Sequence, residues 1–237
     1  MTDDASTRAT ASGVVEPLEG SELAMSTLRV APTATQAIGE IDADTLLFAF
    51  AGEGTLSLSD VTHELARGTA VLILAGETAR VDAGEGELAM LSLTVGAGVD
   101  LHAPIGQRET VTRLESVEAG SATGSRSFQV LFGPHNGSVR ATLFVGYIPP
   151  GKAPWHYHLY DEIVWAYEGE GQLHLGDDAA SLAPESAFRL RPRDVHIVEN
   201  TSGASELAVL GVFTPAGSPS AAFLPPGSTY EYGITER

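Results

Sequence analysis

His156, His158, Glu162 and His196 combine residue type and spacing in a way that suits a metal site. They fall in Trp155-His-Tyr-His-Leu-Tyr-Asp-Glu162 and in Pro192-Arg-Asp-Val-His196, each run flanked by β-forming residues and turn punctuation. On a strand, side chains at i and i+2 leave the same face, so His156 and His158 can present two imidazoles to one point. Glu162 follows after one short turn and opens the strand-like run Glu162-Ile-Val-Trp-Ala-Tyr167, which returns a carboxylate beside them. His196 must then arrive on a third strand. Three neutral imidazoles and one carboxylate suit a single divalent transition metal, Fe, Mn, Ni, Zn or Cu, whereas Mg or Ca would prefer an all-oxygen shell.

These residues resemble the two motifs of the cupin superfamily, small β-barrels that hold a metal. The first motif, G-x5-H-x-H-x(3,4)-E-x6-G, is followed by Gly151, His156, His158, Glu162 and Gly169, with one residue fewer before the first histidine. The second, G-x5-P-x-G-x2-H-x3-N, is met by Pro192, His196 and Asn200; Ser186 and Asp194 stand where it has glycines, and one residue is missing before His196. The Asp194 exchange falls on the turn before His196, where a glycine would tolerate positive φ. The resemblance implies a fold; it does not choose a reaction, because cupins include dioxygenases, isomerases, hydrolases, storage proteins and ligand sensors.

The elements that must position this set occur twice. Phe50-Ala-Gly-Glu-Gly-Thr-Leu-Ser-Leu58 lies over Tyr167-Glu-Gly-Glu-Gly-Gln-Leu-His-Leu175 at an offset of 117 residues, and the register continues to Val81 over Val198. Period-two alternation after a Gly-Glu-Gly turn marks half-buried strands. The expected fold is all-β, with two cupin (double-stranded β-helix, or jelly-roll) barrels in tandem, a bicupin. The expected boundaries are a disordered terminus at 1–12, an N-terminal barrel at 13–105, a linker at 106–126 with a short helix near Val111, and a C-terminal metal-binding barrel with a tail at 127–237. At the same offset the four ligand positions fall on Gly39, Ile41, Thr45 and Ala79, none a usual ligand, so the first barrel is expected to lack the metal. Its nearby His63 aligns with Ala180, away from the ligand positions.

Candidates for substrate contact cluster near the metal set. Arg189 and Arg191 share one face of a strand whose other face carries Phe188 and Leu190; turned inward, they could clamp a carboxylate, and turned outward they would be solvated. Trp155 and Tyr160 could supply an aromatic wall, and His174 alternates with Gln172 as a lining residue. A general acid or base would have to come from Asp161, Glu168 or His174. The leading expectation is a metal-dependent dioxygenase or other oxidoreductase acting on a small organic molecule. Alternatives are a metal-dependent isomerase or hydrolase and a non-catalytic small-molecule binding module.

Composition narrows the field. Without cysteine there is no disulfide, thiolate ligand or thiol nucleophile. A formal charge of −18 argues against nucleic acid and anionic membranes. No apolar run is long enough for a transmembrane helix, and the first residues lack the pattern of a signal peptide, so a cytoplasmic protein is expected. A homodimer is expected because cupin barrels expose sheet faces and edges that need covering, with Phe223, Tyr230 and Tyr232 of the tail as anchors.

Overall fold

The computed structural model describes residues 22–122 and 125–225. The expectations for residues 1–12, Tyr230 and Tyr232 lie outside that range. The first half runs through β1 (Leu23–Val30), β2 (Thr35–Ile38), β3 (Asp44–Ala51), β4 (Gly54–Leu58), β5 (Val61–Leu65), β6 (Thr69–Ile73), β7 (Ala79–Ala83), β8 (Leu88–Val95) and β9 (Val111–Arg113). The second half contains β10 (Gly120–Ser121), β11 (Ser127–Phe132), β12 (Thr142–Ile148), β13 (Asp161–Glu168), β14 (Gly171–Leu175), β15 (Asp178–Leu182), β16 (Ala187–Leu190), β17 (His196–Asn200) and β18 (Leu207–Thr214). Where a short helix is expected near Val111, the chain instead adds β9 to the edge of the first sheet and makes only a 3₁₀ turn at Leu114–Ser116.

Each half folds as an antiparallel jelly roll of two sheets. In the first, β1-β8-β3-β6-β9 faces β2-β7-β4-β5; in the second, β10-β11-β12-β18-β13-β16 faces β15-β14-β17. Alternation along the strands divides the apolar residues among three cores. Leu47, Ala49, Val71, Ile73, Val81 and Met90 fill the first barrel, and Val164, Leu173, Phe188, Leu190, Val198 and Val209 the second. The opposite faces of the two large sheets, with Leu46, Phe48, Leu72 and Leu93 on one side and Leu143, Ile163, Trp165 and Leu210 on the other, pack together as a third core. Burial on both faces explains why β3 and β18 read as nearly continuous apolar runs, as expected for strands covered on two sides. It also covers within one chain the sheet faces for which a second copy was invoked.

Two arginines cross this internal interface. Arg189, 4% exposed, is bound through its guanidinium to both carboxylate oxygens of Asp161 and donates to the Leu23 carbonyl of the first barrel at 2.9 Å. Arg140 lies 3.3 Å from Asp44 and donates to the Gly96 carbonyl.

Candidate metal centre

The three histidines are fixed by backbone pairing before any ligand enters. His156 and His196 exchange both of their main-chain hydrogen bonds, at 3.2 and 2.9 Å, which sets His156 directly opposite the first residue of β17. The His158 carbonyl accepts from the Arg193 N–H at 2.7 Å, tying the same segment to the turn before β17. One ring nitrogen from each of His156, His158 and His196 lies within 4.8 Å of the other two, and all three residues are buried.

Their outer nitrogens are occupied. His156 Nδ1 meets the Pro154 carbonyl at 3.0 Å, His196 Nδ1 the Asp194 carbonyl at 2.9 Å, and His158 Nδ1 the Ala221 carbonyl at 3.2 Å. A carbonyl oxygen only accepts, so each Nδ1 must carry the proton, leaving Nε2 as a lone pair. Burial, and for His158 and His196 the neighbouring His156, depress the imidazole pKa values, that of His158 to about 4. Three neutral Nε2 acceptors facing one another in a buried site, each oriented by a carbonyl behind it, form a donor set that fits a transition metal.

Glu162, on β13, stands beside this triad rather than inside the 4.8 Å group; its Oε2 lies 3.8 Å from His158 Nε2. Burial, and then the Asp161 carboxylate, push its carboxyl up to about 8. A nearby cation would reverse that shift by favouring the charged form. Tyr160 stacks between the His158 and Phe213 rings, at 4.6 and 3.9 Å between centroids, and burial followed by Glu162 drives its phenol pKa upward.

The triad opens into a cavity of about 100 Å³, walled by Phe128, Phe144, Ile148, Val164, Leu190 and Val209 and closed on one side by Pro219, Ser220 and Ala222. Of the five expected contact residues, Tyr160 lines it. Arg189 points the other way, into the interface between barrels, because Phe188 and Leu190 take the inward face of β16. Arg191 and Trp155 are exposed outside the cavity, and His174 is bonded to Glu199 at 2.6 Å. Neither Asp161, engaged by Arg189, nor Glu168, engaged by Arg67, reaches it. The arginine that does line the cavity is Arg126, just before β11, and its charge is felt by all three histidines. It lies in the stretch read as linker, where no periodicity singles it out. Asn200, the last residue of the second motif, is structural: its amide donates to the Ile148 and Ser205 carbonyls.

Strand pairing revises the counterpart positions in the first barrel. Ile38 pairs with Ala79 as His156 pairs with His196, and the Glu40 carbonyl accepts from Gly76 N–H as that of His158 accepts from Arg193. The four counterparts are therefore Ile38, Glu40, Thr45 and Ala79, not Gly39 and Ile41 with the last two. The turn into β3 is one residue longer than the turn into β13, which shifts the register upstream of it. Among the described residues no second group of three ligand side chains forms, and His63 joins none.

Residues 143–213 match the family model of the cupin domain. No curated protein sequence matches the chain. Among solved structures, it is similar to AerE from Microcystis aeruginosa (13% identity, TM-score 0.68, covering 85% of this chain and 97% of that one). It is likewise similar to a cupin 2 conserved barrel domain protein from Leptotrichia buccalis (14%, TM-score 0.60, 83% and 86%). A third is Bacillus subtilis oxalate decarboxylase, a protein with Mn(II) centres (13%, TM-score 0.69, 86% and 71%). The family match supports a cupin domain over residues 143–213, and the structural neighbours show the same fold.

Proposed function

We propose that this chain is a bicupin enzyme that holds one divalent transition metal on His156, His158 and His196, with Glu162 as fourth ligand, and oxidises a small carboxylate-bearing molecule as a dioxygenase or related oxidoreductase. The observation that carries the reading is the convergence of three carbonyl-oriented Nε2 atoms in a cavity that also contains the Arg126 charge. A divalent transition metal bound there would supply Lewis-acid polarisation and, where redox-active, electron transfer. Arg126 would bind the substrate carboxylate by paired, charge-assisted hydrogen bonds. The apolar wall would exclude water, and a cavity of about 100 Å³ suits a small substrate. Oxidation is placed first because Asp161, Glu168 and His174, the carboxylates and imidazole that could have served as a dedicated base, are each engaged elsewhere.

A second reading, a metal-dependent isomerase or hydrolase, is favoured by one feature: Glu162, its carboxyl pushed up to about 8 and set beside the histidine triad, could hold or pass a proton. The experiment that separates the readings reloads chelator-stripped protein with each of Mn(II), Fe(II), Ni(II), Zn(II) and Cu(II). Short 2-oxo, 2-hydroxy and amino acids are then offered with and without oxygen. Oxygen-dependent turnover is the expected result, and Arg126→Gln should raise KM by about tenfold or more while changing kcat less. Equal turnover without oxygen establishes the second reading; carboxylate binding with no turnover of any acid leaves a binding module.

A further inference from the structure

Of the three imidazoles at the metal centre, two are oriented by their own segment and one is not. His156 Nδ1 and His196 Nδ1 donate to the carbonyls of Pro154 and Asp194, each two residues back along the same stretch of chain. Those partners move with their histidines. His158 Nδ1 donates instead, at 3.2 Å, to the carbonyl of Ala221, 63 residues away in the segment that follows β18. The setting of His158 therefore depends on where that segment lies.

The segment is tied down at two points. At its base the Gly217 N–H donates to the hydroxyl of the buried Thr142 at 3.0 Å, and that hydroxyl donates to the Gly217 carbonyl at 2.9 Å. At its far end Phe223 and Tyr157 exchange both main-chain hydrogen bonds at 2.9 Å, and their rings stack at 5.6 Å between centroids. Between these ties Ser218, Ser220, Ala221 and Ala222 are exposed, and their small side chains give the span little apolar surface to bury. Pro219, Ser220 and Ala222 nevertheless form one wall of the metal cavity. A solvent-backed span whose outer tie is one backbone pair and a 44% exposed ring can open locally, without unfolding the barrel beneath it. In the first barrel the chain leaving β8 takes another path, crossing to the second barrel, where the His102 N–H donates to the Val139 carbonyl at 2.8 Å.

We propose that residues 218–223 are a strap coupled to the metal centre: lifting it removes the partner that orients His158 and opens the cavity wall, and metal held by His158 keeps it shut. Phe223 is then a positioning residue for the metal centre proposed above, on which this coupling rests, and it acts through the Ala221 carbonyl. Groups that orient a ligating histidine are worth about 10–100-fold in metal affinity. Coupling is reciprocal, so metal favours the closed strap by the same factor.

Hydrogen exchange of the full chain, followed by mass spectrometry with and without Zn(II) or Mn(II), tests this. Metal should slow exchange across residues 218–223 by about tenfold or more, while β5, an exposed edge strand of the first barrel, exchanges at an unchanged rate. Phe223→Pro removes the N–H and the ring together; its strap should exchange faster and its metal bind about tenfold or more weaker. Phe223→Tyr keeps both and should match the parent. A strap whose exchange ignores the metal overturns the inference, as does a Phe223→Pro chain that binds metal as tightly as the parent although its strap exchanges faster. A parent chain that takes up neither metal sinks the metal centre and the coupling together, whereas uptake with no change at the strap sinks the coupling alone.

Discussion

Where the second barrel turns His156, His158, Glu162, His196 and Phe144 toward its interior, the first places Ile38, Glu40, Thr45, Ala79 and Ser26 at the same points of the same strands. The scaffolds match even in detail. The glycine after β3, Gly52, and the glycine after β13, Gly169, both adopt positive φ, and each is followed two residues later by a strand that crosses to the opposite sheet. A jelly roll of this kind is held by its inward apolar layers and by the shared third core, and neither depends on a ligand. Site residues can therefore be exchanged while the barrel persists, provided that every buried polar group finds a partner. Thr45 is the position where the first barrel does not meet that condition by itself.

The largest effect expected from the difference is on metal content. His156→Ala together with His158→Ala should take the chain from one bound metal to none, read by elemental analysis of protein purified with and without added metal. A full equivalent of metal remaining in that variant would mean that the first barrel has a site, and the contrast between the barrels would fail.

Much of this contrast can be read from the chain alone. The H-x-H-x3-E spacing and the repeated Gly-Glu-Gly turns are local patterns, and strand periodicity converts them into facing positions. Three features are not local. Arg189 sits in a strand with apolar neighbours on one side and arginines on the other; because both faces of that strand are buried, alternation alone could not say which face is the cavity. Arg126 reaches the cavity from a stretch without periodicity, through chain path rather than pattern. The Ala221 carbonyl that orients His158 is a backbone atom, which no residue type announces. The one-residue difference before β3 was invisible because the offset of 117 is unbroken only downstream of it, from β3 to β7.

Protonation gives the next test. In the metal-free protein the His158 imidazole titrates at about 4 rather than 6.5, because burial, reinforced by His156, disfavours its charged form. Between those values the unfolded chain binds a proton that the folded chain does not, so stability rises with pH from about 4 to 6.5 and is lost as pH falls through that window. At ~1.4 kcal/mol per pKa unit this amounts to about 3 kcal/mol for His158 alone. Glu162, its carboxyl pushed up to about 8, acts in the opposite sense over the same window, so the His158 contribution is read as a difference: between pH 7 and pH 4.5, denaturant melts of chelator-treated protein should show the parent losing more stability, or gaining less, than His158→Gln. A pH dependence identical in the two proteins would remove His158 from the acid-sensitive groups and leave the other buried groups of the site, His156, His196 and Glu162, to account for it.

The paired glycines allow a finer comparison. A Cβ added at Gly52 would collide with the Glu87 carbonyl oxygen well inside contact distance, whereas at Gly169 the corresponding Glu206 oxygen is 2.9 Å away. Both positions have φ near +80°, so the strain of a left-handed side chain is common to them and the difference isolates the clash. Gly52→Ala should cost about 2 kcal/mol more than Gly169→Ala in denaturant melts. Equal costs would show that the first barrel relaxes more freely at this turn than its packing implies.

The smallest effect concerns the turn that leads into β17. The family pattern directs attention to Asp194 as the residue in place of a glycine, but the left-handed residue is Arg193, with φ of 73°. Its counterpart in the first barrel is Gly76, with φ of 82° and open space around the position a Cβ would take. The second barrel thus carries a strained residue where the first carries the unstrained one, next to the backbone hydrogen bond that anchors His158. A non-glycine residue in this region costs about 1–2 kcal/mol, part of which glycine gives back through greater freedom in the unfolded chain. Arg193→Gly should therefore stabilise the protein by roughly 1 kcal/mol, and Gly76→Arg should destabilise it by a similar amount, both measured by denaturant melts of metal-free protein. Because Arg193 lies outside the cavity, the stabilised variant should bind metal with unchanged stoichiometry. A loss of stability in Arg193→Gly would instead mean that the side chain makes contacts worth more than the strain, and the turn would count as a true difference between the barrels rather than a tolerated one.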